Sequence, residues 1–144
     1  MMKIKQLSIF LQNRMGSLSK PLEVLSENDV NIRAMCMADT SEFGILRLVV
    51  DDPLKGKEAL EAYNFLVKIT DTIGVEMNDS PGGLTAVLKV IKDNGIDLEY
   101  LYAFTHDKVG KAILLLHADK LDDLIAALEE NEIPIVQAEE VYNL

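Results

Sequence analysis

Asp79-Ser80-Pro81-Gly82-Gly83-Leu84 offers one acid and one hydroxyl and no catalytic set, yet it brings bare backbone to a place where binding chemistry is possible. It ends an alternating apolar run, Ile73, Val75 and Met77, and opens a run at helical spacing, Leu84, Leu88 and Ile91. Period two marks a half-buried strand and the second spacing an amphipathic helix. A strand that turns straight into a helix leaves the first N–H groups without helical partners, at the positive end of the helix dipole. Such an end receives anions, carboxylates included. A side chain at the turn would hold a ligand away, and glycine removes that obstacle. The same turn occurs earlier, at Asn13-Arg14-Met15-Gly16-Ser17-Leu18. Glycines here would equally serve to make the turn and nothing more.

Other reactive side chains are few. His106 and His117 are the only histidines, and neither has a second histidine or an acidic cluster at metal-ligand spacing. His106 falls in a polar turn and His117 at a strand end. Cys36, the single cysteine, lies mid-strand and reads as a small buried apolar residue, so neither a disulfide within the chain nor a cysteine metal cluster is possible. Tyr100, Tyr102 and Phe104 alternate on one strand face with Leu98 in phase. This predicts a core or subunit contact rather than a base-stacking platform, because the basic-aromatic signature of such platforms is absent. The acidic segments at 127–131 and 138–141 read as solvated faces. No Ser-His-Asp set, phosphate loop or catalytic carboxylate pair can be assembled. No enzyme activity, metal or cofactor is expected.

The balance of 14 basic against 24 acidic residues gives a net charge of −10 over 144 residues. That disfavours nucleic acid and anionic membrane surfaces as partners. With 49% of residues apolar there is enough material for a packed core. The N-terminal apolar run is too short for a signal peptide, and nothing approaches a membrane span. A cytoplasmic protein is expected.

The elements that position the turns come from an internal repeat. Aligning Asn13–Ile32 with Asp79–Leu98 places Gly16 on Gly82, Leu22 on Leu88, Val24 on Val90 and Asn28 on Asn94, and the same offset of 66 carries Gly44 onto Gly110 and Leu48 onto Leu114. The chain is two copies of one unit, 1–70 and 71–144, meeting near Asp71. Each copy reads strand, helix, strand, strand, helix, strand; the closing strands are the segments 64–70 and 133–141. That order predicts an α+β fold of two tandem ferredoxin-like units, each an antiparallel four-stranded sheet with two helices on one face. A further symmetric association, a homodimer, is expected to cover the remaining faces and edges.

The glycine turn before the first helix and the polar start of the second strand, "NRMG…VNI" and "DSPGG…IDL", resemble the ACT domain family of small-molecule-binding units. The first copy departs from the usual Pro before Gly, carrying Met15. The resemblance implies regulatory binding of a free amino acid or similar small molecule, held by the first loop of one unit and the second-strand start of its neighbour. It implies Asn13, Met15, Gly16, Ser17 and Leu18 with Asn31 and Ile32 as ligand-binding residues of the first copy. In the second copy these become Asp79, Ser80, Gly82, Gly83 and Leu84 with Asp97 and Leu98. Asn offers donors and an acceptor whereas ionised Asp offers acceptors only, so the second copy would favour an ammonium or a basic side chain. Output would pass through a partner enzyme or a change of association. Two other readings are a non-binding scaffold within a larger complex and a small enzyme on the same scaffold.

Overall fold

The computed structural model describes residues 1–105 and 108–144; His106 and the turn reading attached to it lie outside the described residues. Two compact units make up the chain. One comprises Lys5–Thr70 with Val141–Leu144, the other Met1–Ile4 with Asp71–Glu140. The repeat alone divides the chain at 70/71; by their contacts the first four residues sit with the second copy and the last four with the first.

In the first-copy unit the elements are β1 (Ile4–Gln12), α1 (Ser19–Glu27), β2 (Ile32–Asp39), β3 (Phe43–Val50), α2 (Pro53–Ala62) and the opening residues of β4 (Leu66–Asn78). The strand order is β2-β3-β1-β4. β1 and β3 are antiparallel, with Leu7 opposite Leu48 and Ile9 opposite Leu46. These residues, with Val24, Leu25 and Leu60 of the helices, form the core between sheet and helices. Pro21 is buried in the first turn of α1, where its missing N–H is not needed. Asp52 caps α2, its carboxylate accepting from the Lys55 N–H at 3.2 Å. Gly56 explains the weaker apolar pattern of α2: a Cβ there would stand 3.2 Å from Leu7 and 3.3 Å from Val50, so the glycine lets the helix lie close on the sheet. Cys36 is half-buried rather than a core residue.

The second-copy unit repeats the plan with the remainder of β4, then α3 (Gly83–Asp93), β5 (Leu98–Thr105), β6 (Lys111–Ala118), α4 (Leu121–Glu130) and β7 (Ile135–Val136), in strand order β5-β6-β4-β7. Ile73, Val75, Leu114 and Leu116 of the sheet pack against Val87, Ile91, Leu124 and Leu128 of the helices. Both units are therefore ferredoxin-like, as the repeat implies.

Three further features differ from the sequence reading. The closing strand of the first copy and the opening strand of the second form one continuous 13-residue strand, β4. The segment 133–141, read as a strand, pairs only at Ile135 and Val136. It continues as a short helix, α5 (Ala138–Tyr142), because Ala138 and Val141, three apart, are the buried positions and Glu139 and Glu140 favour a helix start. The Glu139 carboxyl is accordingly held below the ordinary carboxylate range, first by its own backbone N–H and then by the Met1 amino group. Finally, a bulge between Leu98 and Tyr100 breaks the alternation of β5. Leu98 joins Leu101 against the helix-side core, while Tyr100, Tyr102 and Phe104 pair with His117, Leu115 and Ile113 on the other face. The shared face read for Leu98 and the aromatics does not exist.

The four long helices end alike. Each is followed by a residue at positive φ: Asp29 (57°), Asn64 (66°), Gly95 (67°) and Glu132 (57°). The next N–H reaches back into the helix, as from Val30 to Leu25 and from Ile133 to Leu128, both at 3.0 Å. Asn and Asp tolerate this conformation, but a glutamate carries a cost of about 1–2 kcal/mol. Glu132→Gly is therefore expected to stabilise the fold by about 0.5–1 kcal/mol, after allowing for the freedom glycine adds to the unfolded chain. A higher urea midpoint at unchanged slope is the expected reading; a lower midpoint would contradict it.

Candidate functional site

Both glycine turns are built as the sequence suggests, and each is tied to the hairpin of its own unit. Asn13 donates its backbone N–H to the Glu42 carbonyl at 2.8 Å and its side-chain amide to the Thr40 carbonyl at 3.0 Å. In the second copy the Asp79 N–H donates to the Gly110 carbonyl at 2.9 Å. Gly16 has φ +82° and Gly82 φ +88°, and a Cβ added at either would meet no atom within 4 Å. The backbone at both glycines thus faces open space. Gly83 is bare for a different reason: a Cβ there would fall inside the Asn78 carbonyl. Ser17 holds the matching place in the first copy, and α1 starts two residues later than α3 in the repeat register.

The helix starts are partly occupied by their own turns. The Gly82 carbonyl accepts from the Ala86 N–H and the Ser80 carbonyl from the Gly83 N–H, each at 3.0 Å. Helix geometry leaves the Leu84 and Thr85 N–H groups of α3 without acceptors inside the helix. In the first copy the Gly16 carbonyl accepts from the Ser19 hydroxyl at 3.2 Å.

Beside each turn lies a cleft, and the two clefts occupy matching places. The first, about 660 Å³, is lined by the end of β1 (Phe10, Leu11, Gln12), the turn residues 14–17, Lys20 of α1 and Asn64, Phe65 and Leu66. The second, about 320 Å³, is lined by Glu76, Met77 and Asn78 of β4, by Gly83, Ala86, Val87 and Val90 of α3, by Lys111, and by Glu132, Ile133 and Pro134. The far wall in each case is the segment after the unit's second helix, where the repeat offset has grown from 66 to 68. Sequence reasoning missed this wall. The turns were visible as glycines, but only the strand order brings the second-helix segment beside them.

The other half of each predicted set lies elsewhere in the unit. Asn31 and Asp51 clasp each other: the Asn31 N–H donates to the Asp51 carboxylate and the Asp51 N–H to the Asn31 carbonyl, both at 3.0 Å. Asp97 is exposed in a separate cleft of about 460 Å³ with Asn94, Asp119, Lys120, Asp123 and Glu130. Ile32 and Leu98 are half-buried against their cores. Asp97 follows the C-terminus of α3 and Gly82 precedes its N-terminus, and 11 residues of helix span roughly 16 Å. One unit therefore cannot supply both halves of the set.

His117 is engaged structurally. Its Nδ1 lies 2.8 Å from the Asp71 carbonyl and its Nε2 3.3 Å from the Glu99 carboxylate, and the ring stacks on Tyr100 with centroids 5.1 Å apart. Among the described residues no group of three or more His, Cys, Asp or Glu side chains is placed to hold a metal ion. No helix among them is long and apolar enough to cross a membrane.

The sequence matches the ACT domain pair family over residues 2–144, and the chain belongs to that family. Among solved structures, protein BT0572 from Bacteroides thetaiotaomicron is similar at 37% identity and TM-score 0.93, covering 99% of this chain and 98% of that one. The ligand-free regulatory subunit of aspartate kinase from Thermus thermophilus is similar at 11% identity and TM-score 0.61, over 90% of this chain and 93% of that one. Aspartate kinase from Synechocystis matches at 18% identity and TM-score 0.60, over 95% of this chain but 27% of that one. At such identities these last two show the shared fold. No curated protein matches the sequence.

Proposed function

We propose that this ACT domain pair is a non-catalytic, cytoplasmic regulatory protein that binds a free amino acid or similar small molecule at its glycine turns and signals through its homodimeric state or a partner enzyme. The observation that carries the reading is the pair of positive-φ glycines, Gly16 and Gly82, each opening its unit's first helix with no atom near the missing Cβ. Gly95 and Gly110 share the positive φ and the open space; Gly16 and Gly82 differ from them in standing where a strand runs into a helix, beside N–H groups without helical acceptors. The carboxylate is placed at the N–H groups of these turns, and the ammonium on the oxygens of Asn13 and Asn31 or Asp79 and Asp97. Because each pair is split between the ends of a helix, the loop of one unit and the strand start of another must cooperate. The fold shared with an aspartate kinase regulatory subunit is consistent with this role.

Thermal melting against each of the twenty amino acids tests the proposal. Ligand at about a hundred times its dissociation constant stabilises by roughly 2.7 kcal/mol. For a chain of this size that raises the melting temperature by about 5–10 °C. Asp97→Ala is expected to weaken binding with little loss of stability, since the residue is exposed. If no amino acid moves the transition and none is retained in native mass spectrometry, the amino-acid reading fails and a scaffold role replaces it.

A further inference from the structure

The two matching clefts differ in charge. The first-copy cleft is lined by Arg14 and Lys20 and by no acidic residue. In the second copy Arg14 is replaced by Ser80 and Lys20 by Ala86, and the cleft is lined instead by Glu76 and Glu132 with Lys111. Lys111 is drawn onto the Asn78 side-chain oxygen at 2.7 Å, and Glu76 pairs with Lys108 at 3.2 Å. Among the described residues neither Arg14 nor Lys20 has an ion-pair partner. With 24 acidic residues against 14 basic ones, a cleft lined by two cations and no acid stands against the net charge of the chain. The lining is mixed: beside the polar Gln12, Ser17 and Asn64 stand Phe10, 44% exposed, Leu66, 68% exposed, and a fully exposed Met15, with Phe65 half-buried and Leu11 buried in the core. Large apolar side chains left open around two cations fit a ligand with an anionic end and an apolar body. They offer no carboxylate to an ammonium group.

We propose that the first-copy cleft binds a small organic monocarboxylate with an apolar body and no amino group, and that the second-copy cleft does not. This narrows the functional proposal, leaving the amino acid to the second-copy turn and giving the first a ligand without an ammonium group, and it rests on the reading of that turn as a ligand site. A guanidinium and an ammonium hold the carboxylate by charge-assisted hydrogen bonds, and the aliphatic or aromatic walls take the body. An amino acid of the same skeleton is disfavoured because its ammonium faces two cations.

The test compares 4-methyl-2-oxopentanoate, leucine and inorganic phosphate by amide NMR titration of the whole chain. The oxo acid is expected to shift the amides of Gly16, Ser17, Phe65 and Leu66, leave those of Gly83 and Ala86 in place, and bind at least tenfold tighter than leucine or phosphate. The double variant R14Q/K20Q is expected to lose at least tenfold in oxo-acid affinity, and R14K/K20R to recover most of it; both sites are exposed, so the spectrum elsewhere should be unchanged. Leucine binding the first cleft as tightly as the oxo acid would overturn the inference while leaving the small-molecule reading intact. Phosphate binding as tightly would remove the apolar body from the proposal. Equal shifts in both clefts would overturn the asymmetry. If none of the three ligands shifts either turn at millimolar concentration, and the amino-acid panel also fails, the ligand-site reading of the turns falls with it.

Discussion

Gly83→Ala is expected to destabilise the second-copy unit by about 3 kcal/mol or more, a larger loss than substitution at either positive-φ glycine. The single added carbon falls inside the Asn78 carbonyl, which is backbone and not the far end of a flexible side chain. Asn78 is the last residue of β4, paired with Lys111 in the sheet register and bonded to it again through the side chain. Neither partner can step aside without losing the end of the strand or the start of α3. Overpacking against mobile side chains costs about 1–3 kcal/mol, and an immobile neighbour places this case at the upper end or beyond. Gly82→Ala meets no atom; its cost is that of a positive φ, about 1–2 kcal/mol. Gly82→Asn should cost less again, since Asn visits that region more readily. The expected order of melting temperatures is wild type, Gly82→Asn, Gly82→Ala, then Gly83→Ala roughly 10 °C or more below wild type. A Gly83→Ala protein melting within 2 °C of wild type would refute the steric argument.

That contrast shows how the turn was legible and how it was not. The sequence displays two adjacent glycines and a repeat in which one aligns with Gly16 and the other with Ser17. It does not tell which glycine answers to a backbone angle and which to a clash. The angle is local, whereas the clash depends on where the end of β4 lies relative to α3. The fold itself was readable because the offset of 66 repeats both glycines and apolar positions, and because periods of two and three to four residues separate strands from helices. Leu98 fails for a physical reason: a bulge adds one residue to the strand, and one residue inverts every face that follows. The segment 133–141 fails because apolar Ile133, Ile135 and Val136 give way to Ala138 and Val141 within a few residues, and the helical spacing takes over after the second paired residue.

The site was legible only on one wall. Glycines mark the near side of each cleft by their type. Asn64, Phe65 and Leu66 on the far side are an ordinary helix-ending turn in sequence, and they acquire meaning through β4 returning next to β1. The opposite charges of the two clefts were equally hidden. Arg14 and Lys20 are unremarkable cations until the structure shows them facing one space with no acid between them.

Removing Val141–Leu144 is expected to destabilise the unit formed by the first copy, although the segment follows the second copy in sequence. Those four residues belong by their contacts with Lys5–Thr70. Val141 is fully buried. The Tyr142 hydroxyl accepts from the Lys5 N–H at 2.8 Å, and the Tyr142 carbonyl accepts from the Arg33 Nε at 2.9 Å. Deletion exposes an apolar site worth about 1.5–3 kcal/mol for a valine and strips a part-buried N–H of its acceptor at about 1–3 kcal/mol. A total of about 2.5–6 kcal/mol follows, on the order of 10 °C in melting temperature. Tyr142→Phe isolates the hydroxyl and should cost about 1–2 kcal/mol alone. Hydrogen exchange decides where the loss falls. Protection is expected to drop at Leu7–Leu11 of β1 and Ala34–Cys36 of β2, and to persist at Ile113–Leu116 of β6, because β6 lies in the unit that keeps all of its residues. Loss of protection first in β6, with β1 unchanged, would show that the last four residues serve the copy they follow rather than the one they touch.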